Sequence, residues 1–269
     1  MFQYIFKEPV ATTEGLEKLK GFCNYCSISS GSLTMDIGTQ KMLLISVILF
    51  AGCAADLYLL RRPTHDDLKF DGYTLENLVN IPTIPFCAFR CYVNTACVSV
   101  FYNKIFKSCV LKSVLFMNLQ DGIVESGTKY YSVYEDGCPQ DFIRNRKYDL
   151  CYNTFLAYVE RNEAKELCAE NGYVLLRGTS VDAYNHVSNQ LMVTPGNAYG
   201  YYIGGSDKIT EGRWIFDDGE IMTAFIWGDG EPDNHTDKDV LYLIRLGNGK
   251  YEMSDIQPHT RFNYICQKL

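Results

Sequence analysis

The chain has no apolar run long enough to cross a bilayer. Its longest uncharged stretch lies between Lys41 and Asp56 and holds 14 residues, about 21 Å as a helix against a hydrocarbon core of about 30 Å. Basic residues are not in excess either. Lys and Arg number 25 against 32 Asp and Glu, a net charge of −7, which argues against a nucleic-acid binder, since phosphate binding is driven by clustered Lys and Arg. The short signatures of catalysis are missing: HExxH, GxSxG and phosphate-loop motifs do not occur. The four histidines, His65, His186, His235 and His259, are scattered, and the acids of 207–239 show in sequence no obvious apolar setting of the kind that raises a glycosidase carboxyl. The reading is therefore of a protein that is not an enzyme. Disorder is excluded too, because 47% hydrophobic and 21% charged residues are ordinary globular values. A length of 269 residues suits one large domain or two modest ones.

Cysteine is plentiful: eleven residues, at 23, 26, 53, 87, 91, 97, 109, 138, 151, 168 and 266. Lys41, an apolar core over 42–52 and the small residues Cys53-Ala54-Ala55 have the form of a secretory leader, so 41–55 is expected to be a signal peptide. Cleavage after Ala54 or Ala55 leaves eight cysteines, an even number, which suits an exported chain with every thiol paired. The leader lies 40 residues into the sequence, so Met35 or Met42 is the expected start, and 1–40 is an N-terminal extension. The competing reading is an uncleaved type II signal anchor, for which the span is short. Cys23-x-x-Cys26 has no second metal half-site and carries no assignment.

Two cysteine-rich segments follow. In the first, 66–136, the pattern is Cys87-x3-Cys91-x5-Cys97-x11-Cys109. Pro82 and Pro85 close off any helix before Phe86, and 86–91 starts a short one on which Cys87 and Cys91 share a face. Residues 98–102 and 108–111 read as strands from their β-branched and aromatic content. Four cysteines allow three connectivities. The segment resembles the PAN/apple module, in its CW-like variant, where a helix is stapled to a sheet. That resemblance implies Cys87–Cys109 and Cys91–Cys97 and a protein partner. On the residues alone, a stapled spacer without a ligand is an equal alternative.

The second segment, 138–269, opens at Cys138-Pro139 and holds two helical patterns. Residues 160–172 place Ala164, Leu167 and Cys168 on one stripe and end at Gly172, suited to the left-handed C-terminal position. Residues 180–192 have Ser180 as N-cap, Asp182 in the first turn, and Val187 and Leu191 toward the core. Short strands are expected at 201–203, 213–216, 240–246 and 263–266, with a turn at Gly247-Asn248-Gly249 before Tyr251. Residues 217–239 form a long Gly-rich acidic loop, a type usually functional or disordered. Residues 207–239 hold ten acids and three bases, the whole net charge of the chain, while the remainder has 22 of each. Such a segment needs a cation, a solvent face, or both.

This order resembles the C-type lectin-like domain. The matching residues are Cys138-Pro139, Asp149-Leu150-Cys151-Tyr152, Cys168, Tyr202-Ile203-Gly204-Gly205, Glu211-Gly212-Arg213-Trp214, Trp214-x-Phe216-x-Asp218-Gly219, Trp227-x-x-Gly230-Glu231-Pro232-Asp233 and Cys266. The expected fold class is α+β: a C-type lectin-like fold of two helices, short antiparallel sheets and a long loop region, preceded by the PAN-like module. The resemblance implies Cys138–Cys151 and Cys168–Cys266; closing about 98 residues, the latter is worth about 4–5 kcal/mol of loop entropy. The family's further bridge is missing, its positions falling near Val240 and Pro258.

The same resemblance gives the acidic loop a chemistry. Calcium takes six to eight oxygen ligands, and sugar-binding members hold it with a Glu-Pro-Asn or Gln-Pro-Asp triplet, a following acid and an Asn-Asp pair, two sugar hydroxyls completing the shell. Here the implied primary set is Glu231, Asp233, Asp239 and Asp255, with Ser254 in place of the Asn and a cis bond expected at Pro232. Asp233, when ionised, only accepts hydrogen bonds, where Asn also donates to a sugar hydroxyl, and Ser254 is too short to replace Asn as a metal ligand. An auxiliary site is implied at Asp207 and Glu211, with Asn234 in place of a further acid. Asn234-His235-Thr236 is the chain's one glycosylation sequon. The expectation is an extracellular, secreted recognition protein that binds glycans or glycoproteins, with Ca2+ as implied cofactor. The alternatives are a calcium-independent protein-binding module on the same fold and a disulfide-held matrix component.

Overall fold

The computed structural model describes residues 57–117, 122–196, 198–233, 235, 237–247 and 249–269. The expected leader, the N-terminal extension, Cys23-x-x-Cys26 and the sequon residue Asn234 lie outside the described residues. The first half comprises β1 (Leu57–Arg61), β2 (Leu68–Lys69), β3 (Thr74–Leu78), α1 (Ile84–Val93), β4 (Ser99–Asn103), β5 (Ser108–Lys112), β6 (Ile123–Val124) and β7 (Thr128–Glu135). Five of its strands make an antiparallel sheet ordered β1-β7-β4-β5-β3, and β2 pairs with β6 apart from it. The sheet therefore takes in Leu57–Arg61, upstream of the expected boundary at 66.

Every residue of β4 is buried, because the strand is covered on both faces. Val100 and Tyr102 face α1, packing with Cys87, Cys91 and Cys109. Phe101 faces the opposite way and stacks on Tyr130, ring centroids 4.3 Å apart. Helix α1 is stapled to the sheet by Cys87–Cys109 and Cys91–Cys97. It starts at Ile84, earlier than expected, with Pro85 in its first turn. A proline there costs no hydrogen bond, since first-turn N–H groups have no helical partner.

The second half comprises β8 (Ile143–Asn145), β9 (Leu150–Val159), α2 (Arg161–Ala169), β10 (Val174–Leu175), α3 (Val181–Met192), β11 (Gly200–Ser206), β12 (Val240–Arg245), β13 (Tyr251–Ile256) and β14 (Phe262–Gln267). The strands form one sheet ordered β13-β12-β11-β14-β9-β8, with β10 beside β14. Cys138–Cys151 ties the entry of this half to β9, and Cys168–Cys266 ties α2 to β14. The Ser180 hydroxyl accepts from Ala183 N at 3.1 Å, and Gly172 ends α2 at φ 72°. Gly205 sits at φ 133°, and a Cβ there would lie 2.6 Å from both Leu241 and Met222, so β11 admits no side chain at that point.

Two expectations are corrected. The short antiparallel sheets expected in this half are one mixed sheet, in which β11 and β14 run parallel. Residues 213–216 are not a strand: Ile215 makes single bridges to Ser206 and Ile221. The chain turns at Gly212 (φ 74°) and Gly219 (φ 89°), leaving room for a bridge rather than a ladder, and Trp214 and Phe216 enter the core.

A single hydrophobic core crosses the two halves, running from Phe70, Phe101, Phe116 and Tyr130 to Tyr152, Val187, Trp214 and Met253. Polar groups at the junction are matched. Gln190, wholly buried, accepts from Leu115 N at 2.8 Å and donates to Leu115 O at 2.7 Å. Arg146 donates to Cys91 O and Tyr92 O, both at 2.7 Å, and to Asn94 O at 3.2 Å; a cation suits carbonyls at the C-terminal end of a helix.

Candidate metal and ligand site

The site is built where the acidic loop meets the β12–β13 hairpin. Among the described residues, none between Ser206 and Val240 belongs to a named helix or strand. The loop is pinned at its middle instead. Met253 N donates to Ile226 O at 2.7 Å, Gly228 N donates to Met253 O at 2.9 Å, and Glu231 N donates to Gly228 O at 3.0 Å. Trp227 holds this stretch by packing on Phe225 and Trp214, with centroids 5.2 and 5.5 Å away. Glu231 is thereby carried to Ser254 and Asp255, the residues after Met253. The Glu231–Pro232 bond is cis.

Strand pairing brings in the other acids. Leu241 stands opposite Asp255, and Asp207, just beyond β11, donates its N–H to Asp239 O at 3.3 Å. Asp207 and Asp255 are almost fully buried, at 3% and 2% exposure. Four carboxylate oxygens here, Asp207 Oδ1, Glu231 Oε2 and both Oδ of Asp255, are buried with no hydrogen-bond partner. Carboxylate oxygens kept from water and donors are costly and are suited to a cation.

The electrostatics follow. Burial pushes the Asp207 carboxyl above its usual range; Gly212 N, 2.9 Å from Oδ2, opposes the shift, while Asp239 and Asp255 add to it. Burial and then the adjacent Asp255 push Glu231 upward, with Ser254 and Lys238 pulling it down. Glu211 is raised by desolvation and by Asp207, Asp255 and Asp239. Asp233 behaves differently: its carboxylate is paired with the Lys238 ammonium, which holds it below its usual range.

The structure thus regroups the expected ligands. Of the primary set, Glu231, Ser254 and Asp255 come together with Asp239 beside them, and Asp207 joins them from the supposed auxiliary set with Glu211 at the margin, so the two sites merge around Asp255. Asp233 turns aside to Lys238 and to His235 N, 3.2 Å away. Among the described residues, no three His, Cys, Asp or Glu side chains converge closely enough to form an assembled metal shell. The sequence reading missed Lys238. Its one signal is a lone base in Asp237-Lys238-Asp239. The charge excess is also partly answered within the fold. Arg161 and Lys165 pair with Asp217 at 2.8 and 3.2 Å, and Arg177 pairs with Asp218 and Glu220. The histidines have separate surroundings, His186 near Tyr152 Oη (3.1 Å) and His259 near Glu160 (3.2 Å).

No family model matches the chain. It is 27% identical over 135 residues to perlucin of Haliotis laevigata, covering 49% of this chain and 83% of that protein. It is 28% identical over 123 residues to an alpha-N-acetylgalactosamine-specific lectin of Patiria pectinifera, covering 44% and 73%. Among solved structures, the mouse scavenger receptor C-type lectin carbohydrate-recognition domain is 26% identical, with a TM-score of 0.42, covering 49% of this chain and 98% of that one. The second half of the chain is thus similar to C-type lectin-like domains, and it has two helices, one seven-stranded sheet and two disulfides. No helix among the described residues is long and apolar enough to cross a membrane.

Proposed function

We propose that this is an extracellular carbohydrate-binding recognition protein whose ligand face is the acidic loop against the β12–β13 hairpin. The relatives' names supply the substrate class: an N-acetylgalactosamine-specific lectin and mannose-binding C-type lectins stand among them. The observation that carries the site is the set of four buried carboxylate oxygens without donors on Asp207, Glu231 and Asp255. Hard oxygen donors of this charge fit Ca2+. Glu231, Asp255 and Asp207 would hold the ion, with Asp239 and Glu211 adding charge. Bound there, calcium supplies open coordination positions for a pair of sugar hydroxyls.

Lys238 is the resident counter-charge: its ammonium pairs with Asp233 and feels Asp255 and Glu231. A calcium ion held there would compete with Lys238, and Asp233, once released from Lys238, would be a further carboxylate able to hold it. Four paired cysteine bridges support an oxidising, extracellular setting, reached by way of the leader at 41–55. The first half is read as the PAN-like module, supported by a helix stapled twice to a five-stranded sheet, with a protein partner as its role and a glycan on Asn234 beside the loop.

Calorimetric titration with calcium and glycan binding with and without EDTA test the proposal. The full chain is required, because the core crosses the halves. Calcium binding that is lost in Glu231→Ala, with EDTA-sensitive glycan binding, is the expected result. The second reading, a calcium-independent protein-binding module, draws on the Lys238–Asp233 pair; it takes over if EDTA leaves ligand binding unchanged.

A further inference from the structure

The chain's charge is negative overall, yet no Asp or Glu occurs between Glu76 and Asp121. Within that stretch, β4 and β5 are joined by a four-residue turn, Lys104-Ile105-Phe106-Lys107, all of it exposed. Ile105 and Phe106 are 68% and 64% exposed, and Val79, beyond the adjacent β3 edge, is 68% exposed. Large apolar side chains at a turn tip gain nothing from the fold by pointing into water.

The tip is held rigidly. Buried Asn103 accepts from Ile105 N at 2.9 Å and Phe106 N at 3.1 Å, while its amide donates to Ser126 O and Thr128 Oγ1 at 3.0 and 2.9 Å. Ile81 N donates to Lys107 O at 2.8 Å, which sets Val79 beside the turn. The nearby acids are engaged. Glu125 pairs with Lys69 at 3.2 Å, and Asp67 accepts from Gly127 N at 2.6 Å. A third lysine, Lys129, is exposed one rung below the turn, opposite Tyr102.

We infer that this hairpin tip is a membrane-interface anchor for anionic lipid. Ile105, Phe106 and Val79 enter the headgroup–acyl boundary, and Lys104 and Lys107 meet the acidic headgroups, their alkyl stems lying along the apolar layer. Charge complementarity selects an anionic surface. The shape selects lipid, because a protruding four-residue turn is convex and offers far less than the roughly 800 Å² per partner of a stable protein interface. A sulfated polysaccharide would engage the lysines but give the apolar pair no role.

Sedimentation of the full chain with phosphatidylcholine vesicles, with and without phosphatidylserine, tests the inference. Binding is expected to the phosphatidylserine vesicles and to fall about tenfold or more in Ile105→Ser/Phe106→Ser and in Lys104→Gln/Lys107→Gln, each lysine near the surface being worth a few-fold. Melting temperatures of both variants should equal the parent's, since the four side chains are exposed. Three results overturn it: no binding by the parent, equal binding by parent and both variants (which places affinity elsewhere, such as the apolar run 42–52), or loss in the lysine variant alone, with parallel loss of heparin retention.

Discussion

The junction between the halves and the acidic loop both bury polar groups, and they treat them oppositely. At the junction, Gln190 meets the N–H and C=O of Leu115. Lys112, 2% exposed, donates to Phe70 O, Gly72 O and Thr74 Oγ1 at 2.7–2.8 Å. At the loop, Asp207, Glu231 and Asp255 bury four oxygens that meet no donor. Matched groups fix one arrangement of the chain. Unmatched groups of one charge sign leave an arrangement completed by something else. The first region is scaffold, and the second is the region proposed to receive a cation.

The largest effect should come from breaking the matched side. Gln190→Leu strands a buried N–H and C=O of Leu115, each costing about 1–3 kcal/mol, so urea denaturation of the full chain should show a loss of about 4 kcal/mol. Acid acts on the same junction. Burial pulls His186 down to about 4, with a hydrogen bond to the Ser113 backbone opposing it. A histidine whose folded value lies below its unfolded one leaves stability intact above pH 6.5 and removes it as pH falls toward 4, here on the order of 3 kcal/mol. Asp207 and Glu231, raised in the fold, act in the opposite sense, being less stabilising as pH rises. The difference between the melting profiles of the parent and His186→Gln isolates the histidine, and the variant should lose that slope.

On the unmatched side the sign reverses. Asp255→Asn puts an amide donor beside Glu231 and removes a like charge, so in EDTA it should raise stability by about 1 kcal/mol while cutting the response to calcium. Lys238→Met gives the smallest change. The pair with Asp233 lies at the surface, where ion pairs add little stability, but calorimetry should show calcium binding several-fold tighter once its competitor is gone.

Legibility in the sequence follows how local each signal is. Ser180 as N-cap, Gly172 as helix terminator and the hairpin before Tyr251 depend on neighbours a few residues away, and each was readable. Strand β9 was not among the expected strands, because Phe155, Leu156, Ala157 and Tyr158 give no alternation; Leu156 and Tyr158 are exposed. Strands β1, β3 and β7 left no distinct pattern, and β4, buried on both faces, hides its two-sidedness. In the site, the ligand types were readable from the triplet and the acids. Their grouping was not, since Glu231 reaches Asp255 through the Met253–Trp227 bridge and Asp239 reaches Asp207 through strand pairing, both long-range. Lys238, one base among acids, gives no sign in sequence that it faces the cluster.

The most direct test is the melting temperature of the full chain in millimolar calcium against EDTA. Binding to the folded form alone stabilises by RT ln(1 + [Ca]/Kd), about 2.7 kcal/mol at a hundredfold excess over Kd. The account predicts a rise of several degrees, reversed by EDTA and absent in Glu231→Ala. A melting temperature indifferent to calcium, with glycan binding intact in EDTA, would contradict it.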